Sequence, residues 1–159
     1  MGVNRGKQFE SIIQQAFEQT EGVSVTRLHD QTTGFKGSVN PCDFIVYHKP
    51  YLFPIECKSI HGNTFPFSNI TDFQWKSLLE MALIKGVIPG VIVWFVDKDV
   101  TMFYNIKALK ALRDGEFKSI KYSEELFGIP IVGKKKRVFF EYDMQKFLKE
   151  AENEYGARN

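Results

Sequence analysis

The stretch PCDFIVYHKPYLFPIECKS, Pro41–Ser59, decides how this 159-residue chain reads. Asp43–Tyr47 and Tyr51–Ser59 each have strand character, and His48, Lys49 and Pro50 between them suit a tight connection. Side chains of a strand alternate between faces, so Glu56 and Lys58 point one way and Cys57 the other. If the two strands pair as a hairpin, Asp43 lies near the Glu56 end of its partner. Two carboxylates and an amine then converge at the edge of a sheet. A cross-strand surface ion pair between Glu56 and Lys58 is the plainer alternative. Against it, the strand around Glu56 is apolar (Leu52, Phe53, Ile55), and a charge inside such a run needs compensation.

Working outward, Gln8–Gln19 places Phe9, Ile12, Ile13, Ala16 and Phe17 on one helical face, and Gly22 ends that helix. Val23, Val25 and Leu28 alternate as a strand. QTTGFKGSVN, Gln31–Asn40, is a polar, glycine-containing loop or flexible hairpin. Beyond the central pair, Thr71–Lys85 is expected to be helical, with Thr71 or Ser68 as its cap. Val91–Val96 is a continuous apolar run of the kind covered on both faces. Asp97–Asp99 turns into a strand over TMFYNI, Lys107–Arg113 suits a short helix, Arg137–Tyr142 a strand, and Asp143–Glu154 a closing amphipathic helix. The order α-β-β-β-α-β-β-α predicts an α/β (α+β) fold, a mixed central sheet flanked by helices. With no linker or repeat, residues 1–159 read as one domain.

Bulk properties exclude some classes. Hydrophobic residues make up 43% and charged residues 25%, near globular averages, which argues against disorder and collagen-like structure. No apolar run is long enough for a membrane span or a signal segment, so the expectation is a soluble, cytoplasmic protein without a membrane partner. The net charge of +2 says little about partners. The one dense basic run, Lys134–Arg137, reads equally as a DNA contact or as a solvated turn before a strand. Cys42 and Cys57 are too few for a disulfide framework and complete no zinc site, so they read as buried thiols in a reducing compartment. His29, His48 and His61 lack metal-ligand spacing. Trp75 and Trp94 sit in apolar surroundings and read as core.

The Asp43, Glu56 and Lys58 set suits phosphodiester hydrolysis. Mg²⁺ is a hard cation that takes one or two carboxylates together with water and phosphate oxygens. Bound there it would polarise the phosphate and lower the pKa of an attacking water. A neighbouring lysine can orient that water, assist its deprotonation or stabilise charge in the transition state. The residues alone do not choose among these roles.

Several separated motifs resemble the RecU-type Holliday-junction resolvases, a PD-(D/E)xK nuclease family of Gram-positive bacteria and their phages. NRGKQFE near the start is similar to that family's Asn-Arg-Gly and the helix after it with an acidic residue, here Glu10. The Asp43…Glu56-x-Lys58 spacing agrees with its catalytic set. TFPFSNITDFQWKSL resembles its Phe-Pro segment and the following helix with a glutamine, here Gln74. FKSIKYSEEL and GIPI fit its C-terminal pattern. The chain departs from the family between the first two strands, where the stalk that enters the junction centre is much shorter here (roughly Thr26–Asn40). The family's basic N-terminal extension is also not expected, since Arg5 lies five residues from the start.

The resemblance implies a restriction-endonuclease-like core and a Mg²⁺-dependent endonuclease, with Mn²⁺ as a substitute. It implies a homodimer that resolves four-way junctions by paired symmetric nicks with 5′-phosphate and 3′-hydroxyl ends. A recombinase partner and a bacterial cytoplasm, or a host cytoplasm for a phage protein, follow from the same source. Asp43, Glu56 and Glu10 are then the expected metal ligands, Lys58 and Gln74 further catalytic residues, and Arg5, Lys7, Arg27, Phe35 and Lys36 the expected DNA contacts. Plainer readings stand beside these: Glu10 as a solvated acid, Gln74 as a surface glutamine, the cations as ordinary surface charge. Two other functions remain open: a restriction-like or repair nuclease on duplex or other branched DNA, and a non-catalytic DNA-binding module.

Overall fold

The computed structural model describes residues 4–28, 39–122 and 127–158. Helix α1 (Arg5–Glu18) starts three residues earlier than its apolar periodicity indicates, because the Asn4 side chain accepts a bond from the Lys7 amide and caps it. Its buried Phe9, Ile13 and Phe17 recur every four residues and form one face. Strand β1 (Val23–Arg27) follows Gly22, whose φ of 76° suits a residue without Cβ. Then come β2 (Phe44–His48), β3 (Tyr51–Ile60), β4 (Thr64–Pro66), α2 (Asp72–Met81), β5 (Gly90–Phe95) and β6 (Val100–Asn105). The chain continues through α3 (Ile106–Asp114), β7 (Ser119–Lys121), β8 (Ile129–Pro130), β9 (Gly133–Lys136), β10 (Phe139–Tyr142) and α4 (Met144–Tyr155).

The main sheet has the order β1-β2-β3-β5-β6-β8. Its neighbours are antiparallel except β3 and β5, which run parallel with α2 in the crossover between them. All six residues of β5 are buried, as an apolar run covered on both faces requires. Ile92 and Trp94 join a core with α1 and α4, where the Phe147 ring meets those of Phe17, Phe53 and Phe103 at centroid distances of 6.3, 6.4 and 5.0 Å. Val91, Val93 and Phe95 join a second core with Trp75 and Leu78 of α2 and Leu109 of α3. Burying each such ring or branched chain contributes about 1.5–3 kcal/mol. A Cβ on Gly90 would lie 2.4 Å from the Phe103 ring, so the β5–β6 contact requires glycine there. The expected mixed sheet between helices is the observed architecture.

Several expected boundaries shift. Helix α2 ends at Met81, not Lys85, because the chain must turn back to β3: Leu52 N–H donates to Gly86 O and Ile88 N–H to Leu52 O. Strand β10 begins at Phe139 rather than Arg137 and pairs with β9 in a separate hairpin. The basic run therefore lies in β9 itself, with Arg137 at the turn. The shorter β4, β7 and β8, of two or three residues each, were not anticipated. Residues 29–38 lie outside the described residues, and with them His29 and the expected DNA contacts Phe35 and Lys36. The base of that segment is held by Leu28 N–H donating to Asp43 O and Asn40 Nδ2 donating to Leu28 O.

Candidate active site

Strand β3 is twice the length of β2, and that difference builds the site. Along its first half β3 pairs with β2, from His48 opposite Tyr51 to Phe44 opposite Ile55. Along its second half it pairs with β5, so that Glu56 lies beside Val91 and Lys58 beside Val93. At the changeover Asp43 N–H donates to Ile55 O at 3.0 Å, and Cys57 N–H donates to Asp43 Oδ2 at 2.8 Å. The Asp43 carboxylate thus takes the place of the next β2 residue in the ladder and is fixed against β3.

Alternation does the rest. Glu56 and Lys58 face the side covered by α2, while Cys57 packs into the opposite core. Lys58 Nζ bonds Glu56 Oε1 at 2.7 Å. Glu56 is only 4% exposed, and its second oxygen, Oε2, is buried without a hydrogen-bond partner. Burial, and then the charge of Asp43, push the Glu56 carboxyl up to about 7, against the opposing pull of Lys58 and Gln74. The same negative field raises the two buried free thiols: burial, Glu56 and Asp43 push Cys42 up to about 12, and burial with Asp43 and Glu56 raises Cys57 well above the usual thiol range.

Gln74 is buried at the third position of α2 and forms a capping box with Thr71. Thr71 N–H donates to Gln74 Oε1 at 3.1 Å, and Gln74 N–H donates to Thr71 Oγ1 at 3.2 Å. With its oxygen so engaged, the carboxamide presents its NH₂ end to Glu56 and favours the ionised form. Glu56 Oε2 nonetheless has no hydrogen-bond partner.

Glu10 stands differently. It accepts a 2.8 Å ion pair from Arg27, whose guanidinium also lies 5.9 Å over the Phe44 ring. Two residues expected in separate roles, metal ligand and phosphate contact, hold each other. Glu10 is still close enough to add to the field on Cys57. Arg5 and Lys7 are exposed on the first turn of α1. Arg5 reaches His61, which bonds Asp97 at 2.9 Å, and Gly62 N–H also donates to Asp97. Those contacts lower the Asp97 carboxyl below its usual range. This chain at the far end of β3 was missed, since no spacing in the sequence links residues 5, 61 and 97.

The donor set suits a hard cation: two carboxylates side by side, one of them with an unsatisfied buried oxygen, is a charge arrangement a divalent ion would relieve. Among the described residues, no three His, Cys, Asp or Glu side chains group closely enough to form an all-protein metal cage. Two carboxylates with the remainder of the shell from water and substrate oxygens is how Mg²⁺ is usually held. Among the described residues, no helix is long and apolar enough to cross a membrane.

No protein-family model matches this chain, and no curated protein sequence matches it. Among solved structures it is similar to Hjc, a Holliday junction resolvase from the archaeal hyperthermophile Archaeoglobus fulgidus. That likeness has a TM-score of 0.51, covers 80% of this chain and 95% of that one, and comes with 17% sequence identity. At that identity the likeness is one of fold, and the mixed sheet flanked by helices described above is the fold this chain shares with the resolvase.

Proposed function

We propose that the chain is a Mg²⁺-dependent endonuclease that cleaves branched DNA, with the Holliday junction as its preferred substrate and a homodimer as its working form. The observation that carries the reading is the convergence of Asp43, Glu56 and Lys58 at the β2–β3 changeover, with Glu56 Oε2 buried and unpartnered. The fold shared with an archaeal resolvase supports the substrate class. The motif resemblance to RecU-type enzymes supports the homodimer, since two symmetric nicks in a two-fold junction need two sites related the same way.

Asp43 and Glu56 would hold the cation, which when bound supplies Lewis-acid polarisation of the phosphate and a water of lowered pKa. Lys58, a quarter exposed and tethered to Glu56, presents its ammonium where it can orient a water or offset negative charge on the phosphate. Gln74, held by the capping box, would oppose the upward push on the Glu56 carboxyl and so favour its ionised form. Glu10 holds Arg27 at the margin of the site, and Arg5 and Lys7 offer exposed charge for DNA backbone. Incubation with a mobile four-way junction, with Mg²⁺ and with EDTA, tests the reading beside a linear duplex of the same sequence. Mg²⁺-dependent paired nicks in the junction support it. Equal cutting of linear duplex would make the chain a general nuclease, and no cutting at all would remove the activity.

A further inference from the structure

The first turn of α2 has two sides. Gln74 faces Glu56, while Thr71, Asp72 and Trp75 line an open cleft of about 800 Å³ on the other side. The far wall comes from the end of α3 and the segment into β7, with Arg113, Phe117 and Lys118. Trp75 is fixed in place: its indole N–H donates to Phe67 O at 3.3 Å, and its ring meets Phe67 edge-on at 6.0 Å. The Arg113 guanidinium lies 4.1 Å over the Trp75 ring, and Phe117 stands at the rim 59% exposed.

We propose that this cleft receives an unstacked nucleobase and its adjoining phosphate, delivered by single-stranded or branch-point DNA next to the scissile bond. A flat guanidinium stacked on an indole, with a free phenyl ring beside it, is a platform every base can stack on. Arg113 and Lys118 outnumber the one acid, Asp72, and match a phosphodiester rather than an acidic or purely apolar partner. Intact duplex keeps its bases stacked and cannot fill the cleft, so the site would favour DNA opened at a branch. One helix turn would then read the open strand on one side and face the Glu56 carboxylate on the other. The inference rests on the proposed function for its placement beside a scissile bond, but the binding it describes can be measured without turnover.

The test uses the full-length protein and fluorescent hexathymidylate in EDTA, with linear blunt duplex as the comparison. Phe117→Ala and Arg113→Gln should each weaken hexathymidylate binding about ten-fold, the loss of roughly one stacking contact. Duplex binding should change less than about two-fold by the same measure. Arg113→Lys keeps the charge and loses the plane, and should weaken hexathymidylate nearly as much as Arg113→Gln. Wild-type affinity in Phe117→Ala, equal losses on both DNAs, or full rescue by Arg113→Lys would each overturn the platform. Both residues are exposed, and equal melting temperatures check that the variants fold. If the cleft binds hexathymidylate as stated but the protein cuts no junction, the nuclease reading fails and the base site stands. If cutting is normal and the variants bind as wild type, the reverse holds.

Discussion

Two glutamates, on different elements, both add to the negative field on the Cys57 thiol, and they have opposite circumstances. Glu10, on α1, is partly exposed and its charge is met by Arg27. Glu56, on β3, is buried, shares one oxygen with Lys58 and leaves the other without a partner beside the Asp43 carboxylate. A paired, partly exposed acid is stable as it stands. A buried acid next to another acid is held in an unfavourable state by the fold around it, and such states concentrate at functional sites. The contrast assigns Glu56 and Asp43 to the centre of the proposed chemistry and Glu10 to its margin.

The largest effect should come from charge removal at the centre. Asp43→Asn and Glu56→Gln should lower junction cleavage by about a thousand-fold or more, the several kcal/mol a catalytic cation supplies, with junction binding little changed. Near-normal single-turnover cleavage in either would erase the distinction between the two glutamates. Lys58→Ala should cost about a hundred-fold in cleavage, a typical loss for one electrostatic donor, while leaving Mg²⁺ affinity within a few-fold. A loss of Mg²⁺ affinity equal to that of Glu56→Gln would make the lysine structural.

Stability should separate the glutamates next. The folded Glu56 carboxyl, pushed up to about 7, lies above its unfolded value, so folding favours the protonated form. Its contribution is fully present at low pH and is lost as pH rises from the unfolded value through about 7. In EDTA, Glu56→Gln should therefore be more stable than wild type at pH 8, by about 1–3 kcal/mol, with the gain vanishing near pH 4. Denaturant midpoints at both pH values check this, and a variant destabilised at pH 8 would contradict it. Glu10→Gln should be the mildest change. A partly exposed ion pair contributes about 0–1 kcal/mol, and cleavage should fall less than about ten-fold. A larger loss would promote Glu10 to a ligand.

How much of this was legible follows from where each signal resides. The β2–β3 hairpin and the meeting of Asp43 with Glu56 and Lys58 were readable because strand alternation and a short connection fix them locally. A cap at Thr71 or Ser68 was readable for the same reason, but the choice of Thr71 came from the structure, and the direction of the Gln74 NH₂ depends on β3 and α2 packing together. The Glu10–Arg27 pair joins a helix to a strand across 17 positions, and nothing in the residue order distinguishes it from two separate surface charges. The end of α2 was misplaced because Ala82, Leu83 and Ile84 suit a helix, while the backbone bonds of Gly86 and Ile88 to Leu52 require the chain to leave it. Strands of two or three residues, such as β7 and β8, are too short to show any period.

Thermal unfolding at pH 8 as a function of Mg²⁺ tests the central claim most directly, because a ligand that binds the folded state alone raises stability with its concentration. Wild type and Glu10→Gln should both gain melting temperature as Mg²⁺ rises, whereas Asp43→Asn and Glu56→Gln should start at their own values and stay there. Equal Mg²⁺-dependent gains in wild type and Glu56→Gln would contradict a cation held by Asp43 and Glu56.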